Sequence, residues 1–418
     1  MKDLVLIGGG HSHAIVLKMF GIKPLPGVRL TLISDVLHAP YSGMLPGHVA
    51  GFYNYDECHI DLRSLAEFAG CQILVDRAIA IDLNKNLVIC QTRPPVNFDV
   101  LSVDIGSTPA TLSVPGAAEY AIAAKPVPEF LASWNQLISE RQNSPQKPLR
   151  VAIVGGGAGG VELALNMQSR LGKEEGFGNG LCNGLCNGFN GWGLREEGRG
   201  KKEEELEIYL FHSGAELMPG HNKRVRRRLK EILISRGIKV HLMEKVSAIE
   251  KQEMIKIACD SKFPIPNYKI SCESGLKLKC DRIFWVTQAS AANWIGKSGL
   301  ATDSNGFMQV NDCLQSVSNP NVFGAGDIAA MVNYPRPKAG VFAVRQGKPL
   351  FENLQQFLLG KPLKPFVPQE QYLGLIGTGN KRAIASRGSF MWESALLWYW
   401  KDWIDRQFMQ KFSNITQK

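Results

Sequence analysis

The feature that most constrains the fold is a pattern that occurs twice: a short, uninterrupted apolar run, three glycines, then a stretch of helical period. The first copy is Leu4–Ile7, Gly8-Gly9-Gly10 and a helix expected from about His13 to Phe20; the second is Arg150–Val154, Gly155-Gly156-Gly157 and a helix expected from about Gly160 to Leu171. A strand with no polar alternation must be buried on both faces, as in a parallel sheet covered by helices. A further apolar run follows each helix, Arg29–Ile33 and Ile208–Phe211, and completes a βαβ unit. Two such units call for an α/β fold with two Rossmann-like (three-layer ββα) dinucleotide-binding domains.

Between the copies, Leu87–Cys90, Val100–Val103 and Ala121–Ala124 read as strands and Pro145–Pro148 as a linker. The second domain is then inserted in the first. Residues 1–148 and 286–364 form one discontinuous domain, 149–285 the other, and 365–418 a small C-terminal element. Segment 172–205 contains a short tandem repeat around Cys182 and Cys186 and a charge run at Lys201–Glu205. It has little apolar mass to bury and is expected to be a surface insertion. No second ligand pair accompanies the two cysteines, so no metal is expected there.

A glycine turn between strand and helix lets the backbone approach a diphosphate, whose charge meets N–H groups at the helix N-terminus. In the second copy Gly155, Gly157 and Gly160 fill all three positions of GxGxxG, and Glu162 follows. In the first, Gly8 and Gly10 are present, His11 and Ser12 lead into the helix, and His13 replaces the third glycine. That glycine normally permits close helix–strand packing, so His13 implies a shifted helix, a ring turned to a ligand, or a structural histidine. At the end of the following strand either Ser34 or Asp35 is placed to accept a ribose hydroxyl. Gly324-Ala325-Gly326-Asp327 ends another strand in small residues, which suits an aspartate that accepts from a ribityl hydroxyl.

Composition narrows the class further. The 418 residues are 44% apolar and 21% charged with a net charge of +10, as in a soluble protein with an anionic partner. No apolar run approaches the roughly 18–20 residues of a membrane span. Nine scattered cysteines favour a reducing compartment, hence a cytoplasmic location. The basic cluster Lys223–Lys230 reads as a solvated face, and with no accompanying nucleic-acid motif none is expected to bind.

Gly8–Gly10, Val114-Pro115-Gly116, Gly155–Glu162 and Phe323–Asp327 together resemble the flavoprotein pyridine nucleotide-disulfide oxidoreductase superfamily over about residues 4–349. Within it the chain is most similar to type II NADH dehydrogenases and to the FAD-containing domain fused to selenide, water dikinase in some bacteria. Tyr41–Gly47 and Trp400–Met409 resemble that fused domain in particular. The resemblance implies FAD on the first unit, at Gly8, Gly10, His11, Ser12, Ser34, Asp35, Gly106, Gly326 and Asp327. It implies NAD(P)H on the second, at Gly155, Gly157, Gly160, Glu162, His212 and Gln288. The implied activity is that of an FAD-dependent NAD(P)H oxidoreductase, the flavin carrying the chemistry and passing electrons to a second acceptor, for which a quinone is preferred. Ala343 and Gln346 correspond to the acceptor pocket of type II dehydrogenases. A sulfur- or selenium-linked reductase and a slow-turnover flavin sensor or partner-binding module are the alternatives, and the fused relatives suggest a link to selenide, water dikinase.

Three departures stand out. Asp104-Ile105-Gly106 and Val286-Thr287-Gln288 occupy turns that read Ala-Thr-Gly in many relatives. Cys58, Cys71 and Cys90 lack the Cys-x-x-x-x-Cys spacing of a thiol relay. His212 stands where NADH-specific relatives place an acid, which leaves nothing to repel the 2′-phosphate of NADPH. In the tail, Trp392, Leu396, Trp400, Ile404, Phe408 and Phe412 recur every fourth residue, with Lys401, Arg406 and Lys411 off the stripe. An amphipathic helix from Ser389 to Phe412 is expected, and two readings stay open: peripheral docking through 389–412 on the inner face of a membrane, or packing on the protein's own core.

Overall fold

The computed structural model describes residues 1–109, 114–144, 148–172, 206–252, 267–287 and 289–413. Most of the 172–205 segment, most of the Pro145–Pro148 linker and Gln288 lie outside the described residues. The first unit opens with β1 (Lys2–Ile7), α1 (His11–Ile22) and β2 (Val28–Ser34), followed by β3 (Gln72–Val75) and β4 (Val100–Val103). The chain continues through β5 (Ile122–Ala123), α2 (Val127–Asn143), β6 (Leu149–Val154), α3 (Ala158–Leu171), β7 (Leu206–His212), α4 (Lys223–Ser235), β8 (Lys239–Leu242) and β9 (Arg282–Trp285). It then forms β10 (Val322–Gly324) and α5 (Gly340–Leu358), and ends in β11 (Gly374–Gly377), β12 (Ala383–Arg387), β13 (Phe390–Ser394) and α6 (Ala395–Ser413).

Two five-stranded parallel sheets result, ordered β10-β4-β1-β2-β3 and β5-β9-β6-β7-β8. Their central strands are the two apolar runs before the glycines, and Leu4, Leu6, Val151 and Ile153 are fully buried. The fold class expected from the sequence is the one observed. Both helices start earlier than expected, at His11 and Ala158, because each begins directly after its glycine turn. The β5 strand is only Ile122–Ala123, shorter than the expected run.

The tail departs from expectation. Residues 390–394 form β13, so Trp392 lies on a strand and the helix starts only at Ala395. A row taken every fourth residue advances about 40° per step around an α-helix, so over four steps it winds to the opposite side. Leu396 and Trp400 accordingly face outward while Phe408 and Phe412 join the first core. Lys401 and Arg406 are not free cations: Lys401 pairs with Asp405 at 2.6 Å and donates to Gly43 O at 2.7 Å, and Arg406 pairs with Glu57 and Asp402. Among the described residues no helix is long and apolar enough to cross a membrane.

His13 is structural. Its Nδ1–H donates to Gly8 O at 2.7 Å, which fixes the tautomer, and Nε2 accepts from Ser102 Oγ at 2.9 Å. Burial lowers the ring pKa to about 4. Unfolded histidine takes a proton near 6.5, so stability is complete above that pH and is lost as pH falls toward 4, by about 3 kcal/mol in all. His13→Ala strands a buried carbonyl and hydroxyl and should cost about 2–4 kcal/mol at pH 7 in urea unfolding. The gap between wild type and variant should narrow by about 3 kcal/mol on acidification to about pH 4, since only the wild type carries this acid penalty; a constant gap would show that the ring is not held neutral.

Candidate nucleotide and electron-transfer site

In each sheet the loops after the central strand and its neighbours meet at the carboxyl edge, where open α/β sheets take their ligands. At the first edge, β1, β4 and β10 lie side by side and deliver Gly8–Gly10, Asp104–Gly106 and Gly326-Asp327. Gly8, at φ +90°, leaves no room for a side chain, because a Cβ there would strike the Asp104 carbonyl. A Cβ on Gly10 or on Gly326 would strike the Asp104 carboxyl group itself.

Asp104 is thus the crossing point, and its Oδ2 accepts from the N–H groups of Ser12 at 2.9 Å and His13 at 3.1 Å. Burial pushes its pKa up to about 7 against the pull of those N–H bonds, and the Asp327 charge adds to the rise. Asp327 behaves oppositely. Burial would raise it too, but Lys125 Nζ at 3.0 Å, Ser107 Oγ at 3.0 Å and the Lys338 charge hold its carboxylate below the usual range. Lys125, a residue sequence reasoning passed over, also donates to Ser107 Oγ.

The other expected residues of the first site fall around this core. Ser12 Oγ donates to Ala343 O at 2.7 Å. His11 is bonded to Pro40 O and lies edge-on to Tyr41 and Phe408. Gly106, at φ +68°, turns the chain toward Ser107. Gln346 Oε1 accepts from Gly326 N at 2.7 Å and lines a cavity of about 110 Å³ beside Asp327, together with Lys338 and Phe342. Of the two ribose candidates, Ser34 is buried and bonded to Val36, while Asp35 keeps a partly exposed carboxylate 3.0 Å from Arg77.

At the second edge, Gly155 at φ +130° abuts the Val286 carbonyl, as Gly8 abuts that of Asp104. Gly160 packs against Gly155 O, the contact that the His13 ring replaces in the first unit. Around Gly157 the space is open. The Gly156 N–H donates to His212 Nδ1 at 3.3 Å, so this nitrogen is unprotonated and the ring lies on the glycine turn. Glu162 faces the C-terminal element: its Oε1 accepts from Gly377 N at 2.7 Å, and burial pushes its pKa up to about 7 against the Lys401 charge and that bond. On α4, Arg226, Arg227 and Arg228 pair with Glu216, Glu231 and Glu393. Burial pushes the thiols of Cys58, Cys71, Cys272 and Cys280 up to about 12, which leaves them poor nucleophiles.

This arrangement recurs in known proteins. The family model of the pyridine nucleotide-disulphide oxidoreductases matches residues 2–347. The NADH dehydrogenase-like protein YutJ of Bacillus subtilis is 22% identical over 415 residues, covering 96% of this chain and 99% of that protein. The type II NADH:quinone oxidoreductase of Haemophilus influenzae is 22% identical over 433 residues, with 92% and 87% coverage. NDH2 from Plasmodium falciparum, solved with NADH, shares the fold at a TM-score of 0.75 and 15% identity, over 98% of this chain and 97% of that one. The chain belongs to the pyridine nucleotide-disulphide oxidoreductase family and is an FAD-dependent NAD(P)H oxidoreductase.

Proposed function

We propose that this oxidoreductase delivers its electrons to a quinone, with FAD on the discontinuous unit 1–148 and 286–364 and NAD(P)H on 149–285. The observation that carries the siting is the pair of glycine turns, Gly8–Gly10 and Gly155–Gly157, each at the carboxyl edge of its own parallel sheet. Full-length similarity to a relative named for quinone reduction supports the acceptor. When bound, FAD would supply the hydride-accepting and one- or two-electron-donating chemistry, so no protein acid or base would be required for the first half-reaction. The chain's part is placement. The turns admit the diphosphates, Lys125 and Ser107 keep Asp327 ionised as a hydrogen-bond acceptor, and Gln346 fixes the Gly326 backbone beside it. The sulfur- or selenium-linked alternative, with its selenide, water dikinase connection, rests on resemblance alone and finds no activated thiol among the described cysteines.

A quinone dissolved in a bilayer must be met at the membrane, and the tail offers a face for it. Leu396, Tyr399, Trp400 and Trp403 follow helical spacing on the outward side of α6 and are 45–69% exposed, with Trp392 on β13 exposed as well. Apolar rings on a chain of net charge +10 suit the headgroup region of an anionic bilayer.

Three outcomes are expected. The purified chain should oxidise NAD(P)H at least tenfold faster with a soluble quinone than with oxygen, thiols or selenium compounds, followed as loss of nicotinamide absorbance; flavin reduction with no quinone turnover would favour a sensor. Replacing Trp400 and Trp403 by Ser should cut sedimentation with anionic vesicles at least tenfold and leave soluble-quinone turnover unchanged, and unaltered binding would return the tail to a purely structural role. With His212 in place of an acid, NADPH should reduce the flavin within about tenfold of NADH, roughly 1.4 kcal/mol. His212→Glu should widen that ratio in stopped flow, and a wild-type preference for NADH near a hundredfold would mean that another residue excludes the 2′-phosphate.

A further inference from the structure

The two nucleotide units share a backbone plan and differ, besides His13 in place of Gly160, in the residue that follows the strand beside the glycine turn. Where the second has Val286, the first has the carboxyl group of Asp104, 2% exposed, at the N-terminus of α1. The comparison shows that a carboxyl group is not needed to build the turn. It sits instead on the amides of Ser12 and His13, at the helix N-terminus where a diphosphate is received, and against Gly10 and Gly326 from either side. A dinucleotide bound there brings two further negative charges beside it.

We propose that Asp104 takes up a proton when FAD binds and donates it in a hydrogen bond to the diphosphate, so that FAD is held tightly below neutral pH and progressively less tightly above it. The proposal rests on the siting of FAD at the first unit. Oδ2 accepts both amide N–H groups, and although the Ser12 hydroxyl also bears on the carboxyl group, Oδ1 is the oxygen the amides leave to carry the proton. As an ion Asp104 would face the phosphates as a like charge in a poorly solvated site; as an acid it adds a donor to their oxygens. Burial, with the Asp327 charge added and the Ser12 and His13 hydrogen bonds opposing, already brings the carboxyl pKa to about 7, so proton uptake at neutral pH asks little more of the ligand.

Among the surrounding groups Lys338, whose ammonium burial destabilises, is the one that could add a slope of its own, and that slope would persist in Asp104→Asn. From α1, burial keeps His13 and His11 neutral at pH 7 and above. From the turn after β10, Asp327 is ionised and neutralised by Lys125, with Lys338 behind it. From α5, Ala343 and Gln346 carry no charge. Binding an anion raises the carboxyl pKa, and between the free and bound values one proton accompanies each FAD, so the dissociation constant rises tenfold per pH unit. Below the free value the acid is already protonated and the dependence vanishes.

The test is the dissociation constant of FAD for the full chain, stripped of flavin and retitrated by flavin fluorescence between about pH 6 and 8.5. A curve that is flat below about pH 7 and then rises toward tenfold per unit is expected. Asp104→Asn, which keeps an acceptor for the amides and a permanent donor toward the phosphates, should bind tightly with no slope. A flat wild-type curve, or a slope that survives in the Asn variant, overturns the proposal. If that variant does not fold, binding heats of the wild type at about pH 8 in buffers of different ionisation enthalpy decide: they should differ by one proton's worth, and identical heats overturn it. Asp327→Ala separates the underlying siting from the proton. If it weakens FAD more than tenfold while the wild-type curve is flat, the siting stands and the proton linkage falls; if it leaves the affinity unchanged, the siting itself falls.

Discussion

The first nucleotide unit is organised by the contact between bare backbone and one buried carboxyl group. Gly8, Gly10 and Gly326 each lie so close to Asp104 that a single added carbon would collide with it. Three loops that are distant in sequence converge there because β1, β4 and β10 are adjacent and parallel, so their carboxyl ends emerge at one edge. Everything else at the site is placed relative to that crossing: α1 through the Ser12 and His13 amides, α5 through Ser12 Oγ on Ala343, and the Gly326 amide through Gln346. Such a crossing tolerates no change of volume, because dense interiors have no slack to absorb one.

A second constraint ties the two units together. Lys125 lies two residues past the short β5 strand of the second sheet, yet its ammonium lies on Asp327 and Ser107 of the first. The lysine side chain is 38% exposed, so the pair adds about 1 kcal/mol or less to stability. Its consequence is electrostatic. Asp327 stays charged in a place where burial alone would neutralise it, while Asp104 nearby, with no cation on it, is driven the other way. Two carboxyl groups a short distance apart are thereby given different protonation habits by their surroundings.

The sheets, their order along the chain and the glycine turns were legible because parallel strands carry an unbroken apolar signal and the glycines stand at a fixed offset from it. What was not legible depended on side chains from distant segments. Asp104 shows in the sequence only as a departure from Ala-Thr-Gly, and nothing local says that its carboxyl lies under the start of α1. Lys125 has no motif at all, merely a place before Pro126. His13 is read correctly as one of three possibilities, but choosing among them required the Gly8 carbonyl and the Ser102 hydroxyl on its two nitrogens.

The tail fails as a simple stripe for a geometric reason, and the failure is informative. Because a four-residue repeat winds around the helix, apolar residues at both ends cannot all serve one surface. The inward face is completed by Lys401 and Asp405, whose side chains are 15% and 7% exposed, and Lys401 also reaches Gly43 O and lowers the cost of charge on Glu162. Polar groups buried in this way are tolerated only when paired. The same helix therefore exposes tryptophans on one side and, on the other, presents a paired charge to α3 of the second unit and to the Tyr41 loop beside α1. One helix thus carries an exposed aromatic surface on one side and, on the other, contacts to both units.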